Sequence, residues 1–217
     1  SCITIERFGY TRISTEEGIL YGRIIDKNKD VVALIIAGSG PTDMDGNTPL
    51  INGRNDSLKE IAKGLSKNGI SSFRYDKRVA GKSVNTFNID QTDGNFDMYI
   101  KDCVACVKYL RNQGYKKIVL IGHSQGSLVG MLTSLEEPID GFVSIAGTGF
   151  PILIGLEKQL TKQFGSDSEE IKTLENLKKG IIDYSIDKSN SFIISAENQK
   201  FLLTWMKYNP SEIIKEI

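Results

Sequence analysis

Ser124 stands between two glycines in the segment Leu120–Gly130 (LIGHSQGSLVG), at the spacing Gly-x-Ser-x-Gly. A serine hydroxyl can attack an acyl carbonyl once a base takes its proton and donors hold the resulting oxyanion. The same five residues contain His123, the only histidine in the chain. Neighbouring side chains in a tight turn point apart, and a base must lie within about 2.6–3.2 Å of the group it deprotonates. His123 is therefore expected to be a buried, hydrogen-bonded structural residue, with the base elsewhere.

The elements around Ser124 must present it. Residues 117–121 (KIVLI) read as a short buried strand, and residues from Ser124 to about Leu135 read as a helix. A serine on the turn between such a strand and helix sits on a nucleophile elbow. Both glycines are then required, because side chains at Gly122 and Gly126 would collide with strand and helix backbone. The helix aims its first N–H groups at the serine, where they favour developing negative charge.

A second glycine-rich run, AGSGPTDMDGN at residues 37–47, follows the apolar stretch VVALIIA at 31–37. Glycines there allow a backbone amide to turn towards a substrate carbonyl; a plain surface turn is the alternative. Asp43, Asp45 and Asn47 do not make a calcium loop. Gly46 is fourth rather than sixth from Asp43, and the twelfth residue is Arg54 rather than Glu. No Gly-Lys-Ser/Thr follows, so it is not a phosphate-binding loop either.

Three cysteines are present. Cys103 and Cys106 are spaced C-x-x-C but lie inside a predicted helix, on the face of Ile100, Val107 and Leu110. They read as buried structural thiols, because no second Cys or His pair completes a metal shell.

Strands are expected at 19–26, 31–37, 70–75, 117–121 and 141–146. Helices are expected from Ser57 to Gly69, from about Asp97 to Gln113, and after Ser124. Ser57-x-x-Glu60 has capping-box spacing. This alternation predicts βαβ units and a mostly parallel sheet. After Gly149 the pattern becomes helical. Leu153, Leu156, Leu160 and Phe164 mark one helix; Ile171, Leu174, Leu177 and Ile181 mark the next. A third runs from about Glu197 to Tyr208, and Asn209-Pro210 opens a last short one. Residues 1–149 are thus expected to form the core and 150–217 a helical cap. Phe201, Trp205, Met206 and Tyr208 are spaced for packing, with an acyl pocket as the alternative.

Lys plus Arg and Asp plus Glu both number 27, which gives no charge excess for nucleic acid. No apolar run approaches the roughly 20 residues of a membrane span. The N-terminus lacks a signal-peptide pattern, so a cytoplasmic location is expected, with an already removed export signal as the alternative.

Taken in order, GSGPTDMDGN (38–47), RYDKRVAGKS (74–83) and GHSQG (122–126) resemble the α/β-hydrolase superfamily. The similarity is to its esterase, lysophospholipase and serine-aminopeptidase-like branch, which includes monoglyceride lipases. The resemblance covers roughly residues 19–146, with Val79-Ala80 where the family usually has glycine. It implies an α/β-hydrolase fold with a helical cap, Ser124 as nucleophile, and the backbone N–H groups of Ser39 and Gln125 as the oxyanion hole, Gly40 being the alternative donor. It implies a carboxylesterase acting on small or medium acyl esters, with no metal and no organic cofactor.

The family's acid and histidine, which follow Ser in chain order, are not found. Residues 147–151 (GTGFP) hold no carboxylate, Asp140 precedes its strand, and Lys77 or Lys82 as base is not demanded by spacing. The C-terminal strands are expected to be absent, the chain truncated and inactive as it stands, and the exposed sheet edge available for homo-oligomerisation. Two rival readings stay open: an acyltransferase or thioesterase on the same elbow, and a non-catalytic binding protein.

Overall fold

A computed structural model of the protein describes residues 9–88, 94–186 and 192–217. These residues fall into two compact units, one built from 9–88 and 99–147, the other from 94–98 and 148–216.

The first unit is organised by a six-stranded sheet. Its strands are β1 (Thr11–Ser14), β2 (Ile19–Ile25), β3 (Val31–Ile36), β4 (Ser71–Tyr75), β5 (Lys117–His123) and β6 (Gly141–Ile145), in the spatial order β1-β2-β4-β3-β5-β6. The β3–β4, β3–β5 and β5–β6 pairs are parallel, whereas β1–β2 and β2–β4 are antiparallel. The central strand β3 is apolar at every position and buried from Val32 to Ile36, as a strand covered on both faces must be. The short polar β1 (TRIS) was not singled out by the sequence; it is an edge strand held through its register with β2.

Three helices belong with this sheet: α1 (Ser57–Lys67), α2 (Asp97–Asn112, in this unit from Tyr99 onward) and α3 (Gln125–Glu136). Leu58 and Ala62 of α1 pack with Ala33, Ile35 and Ile121. The expected capping box at Ser57 and Glu60 does not form. Asp56 precedes the helix in a left-handed conformation, and its carboxylate is taken by Asn47 and Arg54. The amides of Leu58 and Lys59 donate instead to the Asp45 carbonyl, so the loop after β3 caps α1. Cys103 and Cys106 are fully buried in α2 together with Val107 and Leu110. Burial pushes the Cys103 thiol up to about 12, which leaves it unreactive.

β6 pairs with β5 alone among the described residues. Val143 on this outer strand is 44% exposed.

The second unit is helical: α4 (Ile152–Phe164), α5 (Glu169–Lys178), α6 (Ala196–Trp205) and α7 (Pro210–Ile213). Leu153, Leu156, Leu160, Leu174, Leu177 and Leu202 form its core. Ile181, expected on the buried face of α5, lies beyond the helix end and is exposed. Asn209 caps α7 by accepting from the Ser211 amide, as Asn-Pro predicts. Phe96, Phe201, Trp205 and Tyr208 form an aromatic cluster with centroids 5.3–6.1 Å apart, Phe96 stacked on Trp205 and the other pairs tilted or edge-on, which is packing.

Candidate active site

The end of β5 and the start of α3 form a strained elbow. Ser124 has φ 53° and ψ −117°, a conformation that side chains rarely adopt. Its amide donates to the Ile145 carbonyl at the end of β6, at 2.8 Å. Such strain persists only when its surroundings over-determine it, and here the two glycines do so. A Cβ on Gly122 would lie 2.3 Å from the Gly126 carbonyl oxygen, and one on Gly126 would lie 2.4 Å from that of Ile36. β3, β5 and α3 therefore meet backbone to backbone, and both glycines are sterically required, as the motif predicts.

The loop after β3 meets this elbow at Gly38. A Cβ there would stand 3.4 Å from Ser124 Cβ and 3.0 Å from Nδ1 of His123. Gly38 is buried, whereas Ser39 and Gly40 are exposed. Among the described residues, the amides of Ser39 and Gln125 donate to no protein acceptor. Gln125 is the first residue of α3, where the helix leaves its N–H groups unspent. The side-chain Oε1 of Gln125 is buried without a partner.

His123 differs from the expectation of a buried, hydrogen-bonded residue. It is only partly buried, it lies against Gly38, and its ring makes no hydrogen bond among the described residues.

The RYDKR segment at the end of β4 is bound to the glycine-rich loop. The parallel pairing of β3 with β4 places it there. Arg74 Nε donates to Asp45 Oδ1 at 2.9 Å. Asp76 accepts from the Met44 amide at 2.7 Å and the Lys82 amide at 2.8 Å. Burial pushes the Asp76 carboxyl up, against the pull of these two amides. Gly81 is required at φ +50°, because a Cβ there would run into the Asp76 carboxylate. Lys77 Nζ donates to the carbonyls of Gly38 and Gly40. Arg78 turns the other way and pairs with Asp102 of α2. The sequence alone offers Lys77 only as a candidate base. Its role as a strap was not legible, because its two partners are carbonyls 39 and 37 positions away.

A serine on a sharp elbow beside two unspent amides can accept an acyl group and stabilise an oxyanion. Among the described residues no cluster of His, Cys, Asp and Glu could hold a metal ion, and no helix is long and apolar enough to cross a membrane.

The sequence profile of the family described as serine aminopeptidase, S33, matches residues 50–174. Esterase EstD of Thermotoga maritima is 29% identical over 192 residues, which is 85% of this chain and 43% of that protein. The chain thus spans less than half the length of this relative. The structure of the Pyrococcus furiosus esterase PF2001 superposes with a TM-score of 0.56 at 23% identity, covering 76% of this chain and 57% of that one. Alpha/beta hydrolase domain-containing protein 10 from mouse superposes with a TM-score of 0.52 at 14% identity, covering 83% and 62%. These likenesses establish the α/β-hydrolase fold, in agreement with the mostly parallel sheet.

Proposed function

The chain belongs to the serine aminopeptidase S33 family, and from that premise we propose that it acts as a serine carboxylesterase. Ser124 Oγ attacks the carbonyl carbon of a small or medium acyl ester as a base takes its proton. The N–H groups of Ser39 and Gln125 hold the tetrahedral oxyanion. The ester C–O bond then breaks, and the alcohol leaves with the proton returned by the base. Water attacks the acyl-Ser124 in the same manner, releasing the carboxylic acid and restoring the hydroxyl. These steps use no metal or organic cofactor.

The observation that carries this reading is the conjunction at the elbow. A serine at φ 53° adjoins a loop and a helix start whose amides are both unspent. The likeness to Esterase EstD supports an ester as substrate. His123, the only imidazole of the chain, packs on Gly38 and is not the base of this scheme. We assign the base to no described residue.

A fluorophosphonate probe tests the reading on the protein expressed from its gene. A covalent adduct on Ser124, absent in Ser124→Ala, is expected. A folded protein that takes up no probe refutes the esterase and leaves a binding role.

A further inference from the structure

Lys77 is a buried lysine of the first unit. It is only 3% exposed, and among the described residues it pairs with no carboxylate. It donates to the Gly38 carbonyl and, at 2.7 Å, to the Gly40 carbonyl. A buried charge without a counter-ion costs stability that an apolar residue of similar length would not.

What the ammonium holds explains the cost. The Gly38 carbonyl and the Ser39 N–H belong to one peptide plane, and the described chain has no cis peptide. In a trans peptide these two groups point in opposite directions. Fixing the carbonyl on Lys77 therefore fixes the direction of the Ser39 N–H, beside Gly38 where the loop meets Ser124. A positive charge on the carbonyl oxygen also draws density from the nitrogen and strengthens the N–H as a donor. The second contact cannot play this part, because the Gly40 carbonyl precedes Pro41, which has no N–H. It anchors the far side of the same turn.

We propose that Lys77 is a positioning residue, whose ammonium orients and polarises the Gly38–Ser39 peptide so that the Ser39 N–H serves the oxyanion. This rests on the reading of Ser39 as an oxyanion donor given above.

Burial lowers Lys77 to about 7, so its charge is lost as the pH rises through neutrality. The ionisable groups on the elements around it are Tyr99, Asp76, Arg78 and His123. The Tyr99 ring of α2, 5.2 Å from Nζ, has its hydroxyl pushed up to about 12 by burial. Asp76 is held by the Met44 and Lys82 amides, Arg78 by Asp102, and the His123 ring faces Gly38.

The test compares Lys77→Met and Lys77→Arg with the unsubstituted protein. It reads the second-order rate of Ser124 phosphonylation, and kcat and KM on a p-nitrophenyl ester. Lys77→Met should lower the phosphonylation rate and kcat about 100-fold, the scale of one oxyanion donor, and leave KM within about twofold. Lys77→Arg keeps the charge and should restore most of the rate. A folded Lys77→Met that reacts at the unsubstituted rate overturns the proposal, as does a loss confined to KM.

Should Lys77→Met fail to fold, the pH profile decides. The unsubstituted protein should lose rate above a pH of about 7 while Lys77→Arg does not; coincident profiles overturn the assignment. An unsubstituted protein that takes no probe and turns over no ester fails differently. It removes the esterase reading itself, and the role of Lys77 with it.

Discussion

Arg78 and Asp102 face each other as a two-pronged pair, with Nε to Oδ2 at 2.8 Å and Nη2 to Oδ1 at 2.7 Å, both side chains 2% exposed. The pair joins the segment after β4 to α2, and Glu17 adds a further contact on Nη1 of Arg78. Removing Asp102 takes the two-pronged partner from the buried guanidinium and leaves it Glu17, whose side chain is 46% exposed. Asp102→Ala should therefore lose about 3–5 kcal/mol in urea unfolding. The double variant Arg78→Met, Asp102→Leu should lose less than either single change. A double variant at the sum of the singles would refute a paired role.

The glycines of the elbow should be intolerant for a reason that local propensity does not share. Gly122→Ala and Gly126→Ala each put a methyl group within 2.4 Å of backbone carbonyl oxygen. Each should cost about 3 kcal/mol or more and shift the thermal midpoint down accordingly. Gly64→Ala at an exposed position of α1, where a Cβ meets nothing within 4 Å, should instead gain about 0.5–1 kcal/mol.

Strain at Ser124 predicts an opposition between reactivity and stability. Ser124→Gly relieves the positive φ, whereas Ser124→Ala retains it. The glycine variant should be more stable than the alanine variant by about 1 kcal/mol, with neither taking up a fluorophosphonate. Equal midpoints would show that the elbow carries no strain.

Stability should also respond to pH through Lys77. Its folded value of about 7 lies below the ordinary 10.5, so above neutrality the unfolded chain binds more protons than the folded one. Stability from this group therefore rises with pH from about 7 towards the unfolded value, and the full cost of burying the charge is present below about 7. Lys77→Met removes the titration. Its stability advantage over the unsubstituted protein should shrink between pH 7 and pH 9, by at most about 1.4 kcal/mol per pH unit. A pH-independent difference in urea midpoints would contradict this.

Much of the architecture was legible because it rests on short-range pattern. The apolar run of β3 and the helical period of Leu58 and Ala62 each encode burial locally, and the two elbow glycines encode close approach in the same way. Features set by tertiary partners were not legible. β1 is four residues of mixed polarity, fixed only by pairing with β2. Ser57 and Glu60 have the spacing of a capping box, but the Ser57 amide donates to the Asn55 side chain and the Glu60 amide to the Asp56 carbonyl. Lys77 looks in sequence like any lysine in a charged segment. Its burial and its carbonyl partners follow from strand order, which the motif does not contain.

The hydrogen bond from the Ser124 amide to the Ile145 carbonyl ties the elbow to β6, which among the described residues pairs with β5 alone. A strand paired on one side opens locally at lower free energy than one paired on both, as β3 is. The Ser124 amide is therefore held by this bond only while β6 is docked. Amide exchange at Ser124 should follow the opening of β6 rather than that of β3. Anything that holds β6 in place then slows exchange at the nucleophile's own amide without touching its hydroxyl.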